Sequence, residues 1–286
     1  MAGRRDASGE QASGGAIRVG IGGWTYAPWR GGVFYPEGLV QRRELEFASR
    51  HVTAIEVNGT WYGAQKPATY AKWRDEAPDG FVFAAKAPQR ITRSRALAKT
   101  GAQVEDFLEG IAALGPKLGP IVWQFEQGRR PERGDLAAFV ASLPALAGGV
   151  ALRHVLDVRD RECVDADYLA LARRHGCATV FTDSTEHPSF ADLTAPFVYA
   201  RLMRSRAGEP NGYPEAELRR WATRIQEWSR GGVPADLPYL EAPVASAGTT
   251  ARDVFVFFIA AAKERNPAAA MALLRLPGIA ARTIPA

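Results

Sequence analysis

The chain has 286 residues, 47% of them hydrophobic and 23% charged, with a formal net charge of +5 and an isoelectric point near 9.3. This composition excludes a collagen-like or disordered chain and supplies material for a large core, while the length suits a single α/β barrel of about 200 to 250 residues plus appendages. No apolar run approaches the ~18 residues of a membrane span, so no membrane partner is expected.

The first 15 residues are small and polar without the apolar segment of a signal peptide, and read as a disordered tail on a cytoplasmic protein. From there to about residue 276, strand-length apolar runs alternate with helical spacing. The expected strands are Ile17 to Gly23, Thr53 to Asn58, Phe81 to Lys86, Pro120 to Glu126, Val150 to Arg159, Thr179 to Asp183, Phe197 to Leu202 and Asp253 to Ile259. Between or after them, helical patterns cover Pro67 to Glu76, Val104 to Leu114, Asp167 to His175, Glu215 to Trp228 and Asn266 to Leu276. Asp165 stands at an N-cap position, Gly176 follows a last turn, and Pro267 suits a first helical position. Eight strands, each followed by a helix, predict a single parallel (β/α)8 TIM-type barrel; a doubly wound sheet would want a G-x-G-x-x-G after the first strand. The segment 233–250 has neither period and reads as an irregular surface excursion before the eighth strand, and 277–286 as a C-terminal tail.

In such a barrel, alternate side chains of each strand point inward and chemistry gathers at the C-terminal strand ends. In A-I-E-V-N, Ile55 and Val57 then face helices, while Glu56 and Asn58 face the interior. The same count places Lys86, Gln124, Asp157, Arg159, Asp183 and Arg201 at one rim. Three acids and three bases there must pair or hold a ligand, because an isolated buried charge costs several kcal/mol. Glu56, Lys86 and Asp157 are the candidate catalytic groups, with Trp24, Tyr26, Asn58, Tyr62, Gln124, Arg159, Asp183 and Arg201 as ligand contacts. Glu56 and Asp157 would act as acid and base, with Lys86 and Arg159 setting their proton affinities apart.

Several of these strand ends carry a pattern. G-I-G-G-W-T-Y-A-P-W-R (Gly20 to Arg30), F-Y-P (Phe34 to Pro36), E-V-N-G-T-W-Y (Glu56 to Tyr62), F-V-F-A-A-K-A-P (Phe81 to Pro88) and Y-A-R-L (Tyr199 to Leu202) resemble the YecE-like family, domain of unknown function seventy-two. The resemblance spans about Ile17 to Leu276 and implies a TIM-type barrel whose reaction is not established. It also exposes departures: Asp160 and Met203 stand where the family pattern offers histidines, Cys163 where it offers tryptophan, and Ile259 and Ala260 where it offers asparagines.

Of the four histidines, His51, His154, His175 and His187, none ends an expected strand, which argues against a His-rich zinc site. Cys163 and Cys177 are too few and too far apart for a zinc motif. No cofactor motif is evident, although Glu56, Asp157 and Asp183 offer oxygen ligands for a magnesium ion. The loops after the third and seventh strands hold Arg90, Arg93, Arg95 and Lys99, and Arg204 and Arg206. The expected partner is a small polar or anionic molecule, such as a sugar, phosphoester or nucleotide, handled by acid-base hydrolytic chemistry. The other reading is a non-catalytic barrel that binds nucleic acid or protein through its basic loops.

Overall fold

The computed structural model describes residues 14–242 and 250–279. The expected tails and excursion fall in part outside these residues, at 1–13, 243–249 and 280–286. Among the described residues, eight parallel strands close into one barrel in chain order: β1 (Ile17–Gly22), β2 (Ala54–Val57), β3 (Val82–Lys86), β4 (Leu118–Phe125), β5 (His154–Val158), β6 (Ala178–Thr182), β7 (Phe197–Leu202) and β8 (Asp253–Phe258). β8 closes onto β1 with Ile17 opposite Val254 and Gly20 opposite Phe257. Helices α1 (Glu44–Ala48), α2 (Pro67–Glu76), α3 (Gly101–Ile111), α4 (Arg133–Ser142), α5 (Ala166–Arg174), α6 (Glu215–Ser229) and α7 (Asn266–Leu274) cover the outside, giving a TIM-type fold.

Local signals set these elements. The Asp165 carboxylate caps α5 by accepting from the Tyr168 amide at 3.0 Å, and Gly176 ends it in the left-handed region at φ +62°. In α6, Leu218, Trp221, Ala222, Ile225 and Trp228 recur at three- and four-residue spacing, and all are buried. Strand alternation divides the core in two. Ile17, Val19, Ile21, Ile55, Val57, Phe83 and Ala85 face the helices, whereas Ala54, Ala84, Val122, Val155, Val180, Tyr199, Phe255 and Phe257 fill the barrel.

Two expectations are corrected. The run Val150 to Arg159 is not one strand: Val150–Ala151 pairs antiparallel with Leu146–Ala147 across Gly148 and Gly149, and only His154–Val158 joins the barrel. Both glycines have positive φ, 53° and 77°, as a two-residue hairpin turn requires. The other correction concerns the link from β6 to β7, where residues 183–196 form no helix. In its place the chain between Pro238 and Glu241 packs on the link: the Pro238 carbonyl accepts from the Ala191 amide at 2.7 Å, and the Asp192 carboxylate accepts from the amides of Leu240 and Glu241 at 2.8 and 3.1 Å. The described part of the irregular excursion thus covers a wall of the barrel. No helix among the described residues is long and apolar enough to cross a membrane.

Candidate functional site

The inward positions change from apolar to charged at the C-terminal end of the barrel. Arg201, near the end of β7, is 2% exposed and lies between two acids. Its Nε donates to Glu56 Oε2 at 2.8 Å, and its Nη1 donates to Asp157 Oδ2. The Tyr199 hydroxyl, one inward step below, donates to the same Glu56 oxygen at 2.6 Å, and Arg159 Nε reaches Asp157 Oδ2 at 3.3 Å. Burial works against charge on Arg201, yet Glu56 and Asp157 outweigh it and its pKa is raised. Burial likewise opposes ionisation of Asp157, but Arg201, Arg159 and Lys86 hold its carboxyl below the usual range. Glu56, Arg201 and Asp157 are thereby joined in one buried ladder. Three atoms in these buried side chains have no hydrogen-bond partner: Glu56 Oε1, Arg201 Nη2 and Gln124 Oε1.

Lys86 does not pair directly with Glu56. Thr60, fully buried after β2, donates its hydroxyl to the Lys86 carbonyl at 2.7 Å, with the Val57 carbonyl 3.0 Å away. This fastens the G-T-W turn to the end of β3 and seats buried Trp61 beneath Lys86, whose Nζ lies 4.5 Å from the ring centroid. Burial first, and Arg201 second, push the Lys86 pKa down to about 8, against opposing pulls from Glu56 and Asp157. Among the groups of this mouth, Lys86 can gain or lose a proton near neutral pH.

The remaining expected residues divide. Asn58 turns its amide back to the Glu56 carbonyl at 3.3 Å. Asp183 stands apart from the ladder: it accepts from the Met203 amide at 2.5 Å and from the Tyr213 hydroxyl at 3.1 Å, and burial pushes its pKa up to about 6. Glu56, Asp157 and Asp183 therefore do not converge as a magnesium set, and no group of three such ligands able to hold a metal ion occurs among the described residues. Trp24 packs edge-on against Trp73 at 5.0 Å in the outer layer, Tyr26 packs on Trp29 at 5.3 Å beneath Lys263, and Tyr62 is 81% exposed. Asp160 accepts from the Gly128 and Glu162 amides, each at 3.1 Å, and from Arg130 Nε at 2.9 Å, so it ties two loops together. Of the basic loops, Arg90 pairs with Asp106, Arg93 with Glu126 and Arg206 with Glu217.

Three residues outside the expected set of site residues belong to this mouth. Tyr199 is the inward position two before Arg201 and opens the Y-A-R-L motif, and Trp61 is one of the aromatics that follow the second strand. His187 lines a narrow recess with Asp157, Arg159, Thr182, Pro188, Arg201 and Met203. Its signal was a histidine-proline pair five residues after the sixth strand, in a loop where functional side chains often sit.

The family model for "Protein of unknown function DUF72" matches residues 18–286. This chain belongs to the DUF72 family. The UPF0759 protein YecE of Escherichia coli strain K12 is 31% identical over 141 residues, 48% of each protein, so the match spans about half the length of that curated relative. DUF72 family proteins of known structure share the fold: one from Thermotoga maritima at TM-score 0.68 and 20% identity, covering 90% of this chain and 97% of that one, and one from Enterococcus faecalis at 0.65 and 16%, covering 93% and 98%. At such identities the likeness speaks for the DUF72 barrel alone.

Proposed function

We propose that the C-terminal mouth of this barrel binds a small anionic ligand, such as a phosphoester or an acidic sugar, and performs acid-base chemistry of a hydrolytic kind on it. The observation that carries this reading is the charge inventory. Asp183 stands outside the ladder, so within it two carboxylates (Glu56, Asp157) meet three cations (Arg201, Arg159, Lys86) and the cations outnumber the acids beside them. Arg159 gives only Nε to Asp157, and Lys86 faces only a ring, so both keep donors for an anion. Lys86, with its pKa lowered to about 8, is the fitting proton-transfer group, and Glu56 and Asp157 hold the cations in place.

Nucleic-acid binding through the basic loops is less well supported, because Arg90, Arg93 and Arg206 are already neutralised by acids on neighbouring elements. Calorimetry with inorganic phosphate and a panel of sugar phosphates tests the proposal. Lys86→Met and Arg159→Met should each weaken binding about tenfold or more, the loss of a charge-assisted contact worth roughly 1.5 to 3 kcal/mol. Unchanged affinity in both variants, or binding only of a single-stranded oligonucleotide that persists in Lys86→Met, would overturn it.

A further inference from the structure

The link from β6 to β7 is unusual for this architecture, because it carries a pinned polar loop where a helix would stand. Its turns are fixed by short-range bonds: the Ser184 amide donates to Thr182 Oγ1 at 3.1 Å, the Glu186 amide to Ser184 Oγ at 3.1 Å, and Ser189 Oγ to the Thr182 carbonyl at 2.5 Å. Pro188 restricts the residue before it, which is His187, and the His187 carbonyl accepts from Arg161 at 3.4 Å. A loop so constrained delivers one imidazole to the recess formed by Asp157, Arg159, Thr182, Arg201 and Met203. There the His187 Nδ1 is buried without a hydrogen-bond partner, which is uncommon for a buried ring nitrogen and calls for an explanation.

We propose that His187 contacts the anion bound in this mouth and takes up a proton as the anion arrives. The inference rests on the anion-binding reading and names the group that couples that binding to a proton. The surroundings of the His187 ring set the coupling. Burial does most to disfavour a charged ring, and Arg159 on the end of β5 and Arg201 on β7 add to it, while Asp157 on β5 and Glu186 in the same loop favour it, so the proton affinity of the ring is lowered while the site is unliganded. An anion placed between Arg159 and His187 offsets the arginines and makes the imidazolium favourable. The proton comes from solvent and resides on the ring, where it can be donated to a leaving oxygen.

The test is a nitrogen-15 NMR titration of the whole chain, following the His187 ring nitrogens, assigned by their disappearance in His187→Asn. It is run with and without saturating sulfate, an anion whose own charge is constant across neutral pH. Sulfate is expected to raise the His187 midpoint by about one pH unit, which by linkage equals a tenfold tighter hold on the anion when the ring is charged. His187→Asn should still bind sulfate and keep the gain that protonation of Lys86 brings as pH falls through about 8, but lose the further tenfold gain that charging the His187 ring brings at lower pH. Because the readout is the ring itself, titration of Asp183 in the same interval cannot be mistaken for it. If sulfate binds, is weakened by Lys86→Met, and leaves the His187 midpoint where it was, His187 is a filler of the wall: this inference is overturned and the anion-binding reading stands. If sulfate does not bind at all, the reading fails and takes the inference with it.

Discussion

Replacing Arg201 by methionine removes the cation that two buried carboxylates share. Glu56 is 1% exposed and Asp157 6%, and the guanidinium between them is 2% exposed, so solvent cannot substitute for it. Truncating one partner of a buried ion pair costs about 3 to 5 kcal/mol, because the stranded charge keeps its desolvation penalty. Two carboxylates are stranded here, but neither is left bare: Glu56 retains the Tyr199 hydroxyl at 2.6 Å and Asp157 retains Arg159 at 3.3 Å. The expected loss is therefore about 3 to 5 kcal/mol at neutral pH, not twice that. Its pH dependence follows from Asp157, whose folded-state pKa is depressed. A depressed carboxylate contributes stability above its unfolded pKa of about 3.9 and loses it as pH falls through the lower folded value. The variant lacks most of that contribution, so the gap between it and the wild type should narrow on acidification. Urea denaturation of both proteins at about pH 7 and about pH 2.5 measures this. A triple variant that also carries Glu56→Gln and Asp157→Asn should recover part of the loss, since neither carboxylate is then left stranded, although Lys86 and Arg159 lose their acidic neighbours. A loss under about 1 kcal/mol at neutral pH, or one that grows on acidification, would refute the picture of Arg201 as the shared cation of a dry ladder.

Asp183 titrates with the opposite sign: its folded pKa is raised to about 6, so its contribution is full below the unfolded value and is lost as pH rises through 6. Asp183→Asn should accordingly exceed the wild type by about 1 to 3 kcal/mol at pH 7.5, with the difference vanishing near pH 4; equal stabilities across that range by thermal or urea melts would count against a desolvated carboxyl. Ala260 and Ala261, exposed just after β8, hold φ values of 59° and 47° in the left-handed region, where a Cβ is strained. Ala260→Gly should raise stability by about 0.5 to 1 kcal/mol in urea unfolding, and a loss would show that the turn tolerates its alanine. The asparagine that the family pattern offers at Ala260 is itself among the residues that adopt this conformation readily.

Much of this protein is written in its local sequence. Period-two alternation sends Ile55 and Val57 to the helices and Glu56 inward, and Asp165 and Gly176 start and stop a helix within a residue or two of their positions, because these effects act over a few bonds. Those rules also bring Glu56, Lys86, Asp157, Arg159 and Arg201 to one rim. Which of them touch was decided only by the closed barrel. Glu56 and Lys86 end adjacent strands, yet Glu56 meets Arg201, 145 residues away, because inward side chains converge across the barrel axis while Lys86 is drawn onto Trp61 by the Thr60 turn. Asp183 leaves the ladder for Tyr213, and the β6 to β7 link gives up its helix and turns His187 toward Asp157 and Arg159. These partnerships join segments far apart in the chain, so no window of sequence contains both members, and proximity in three dimensions selects between pairings that charge alone leaves equivalent.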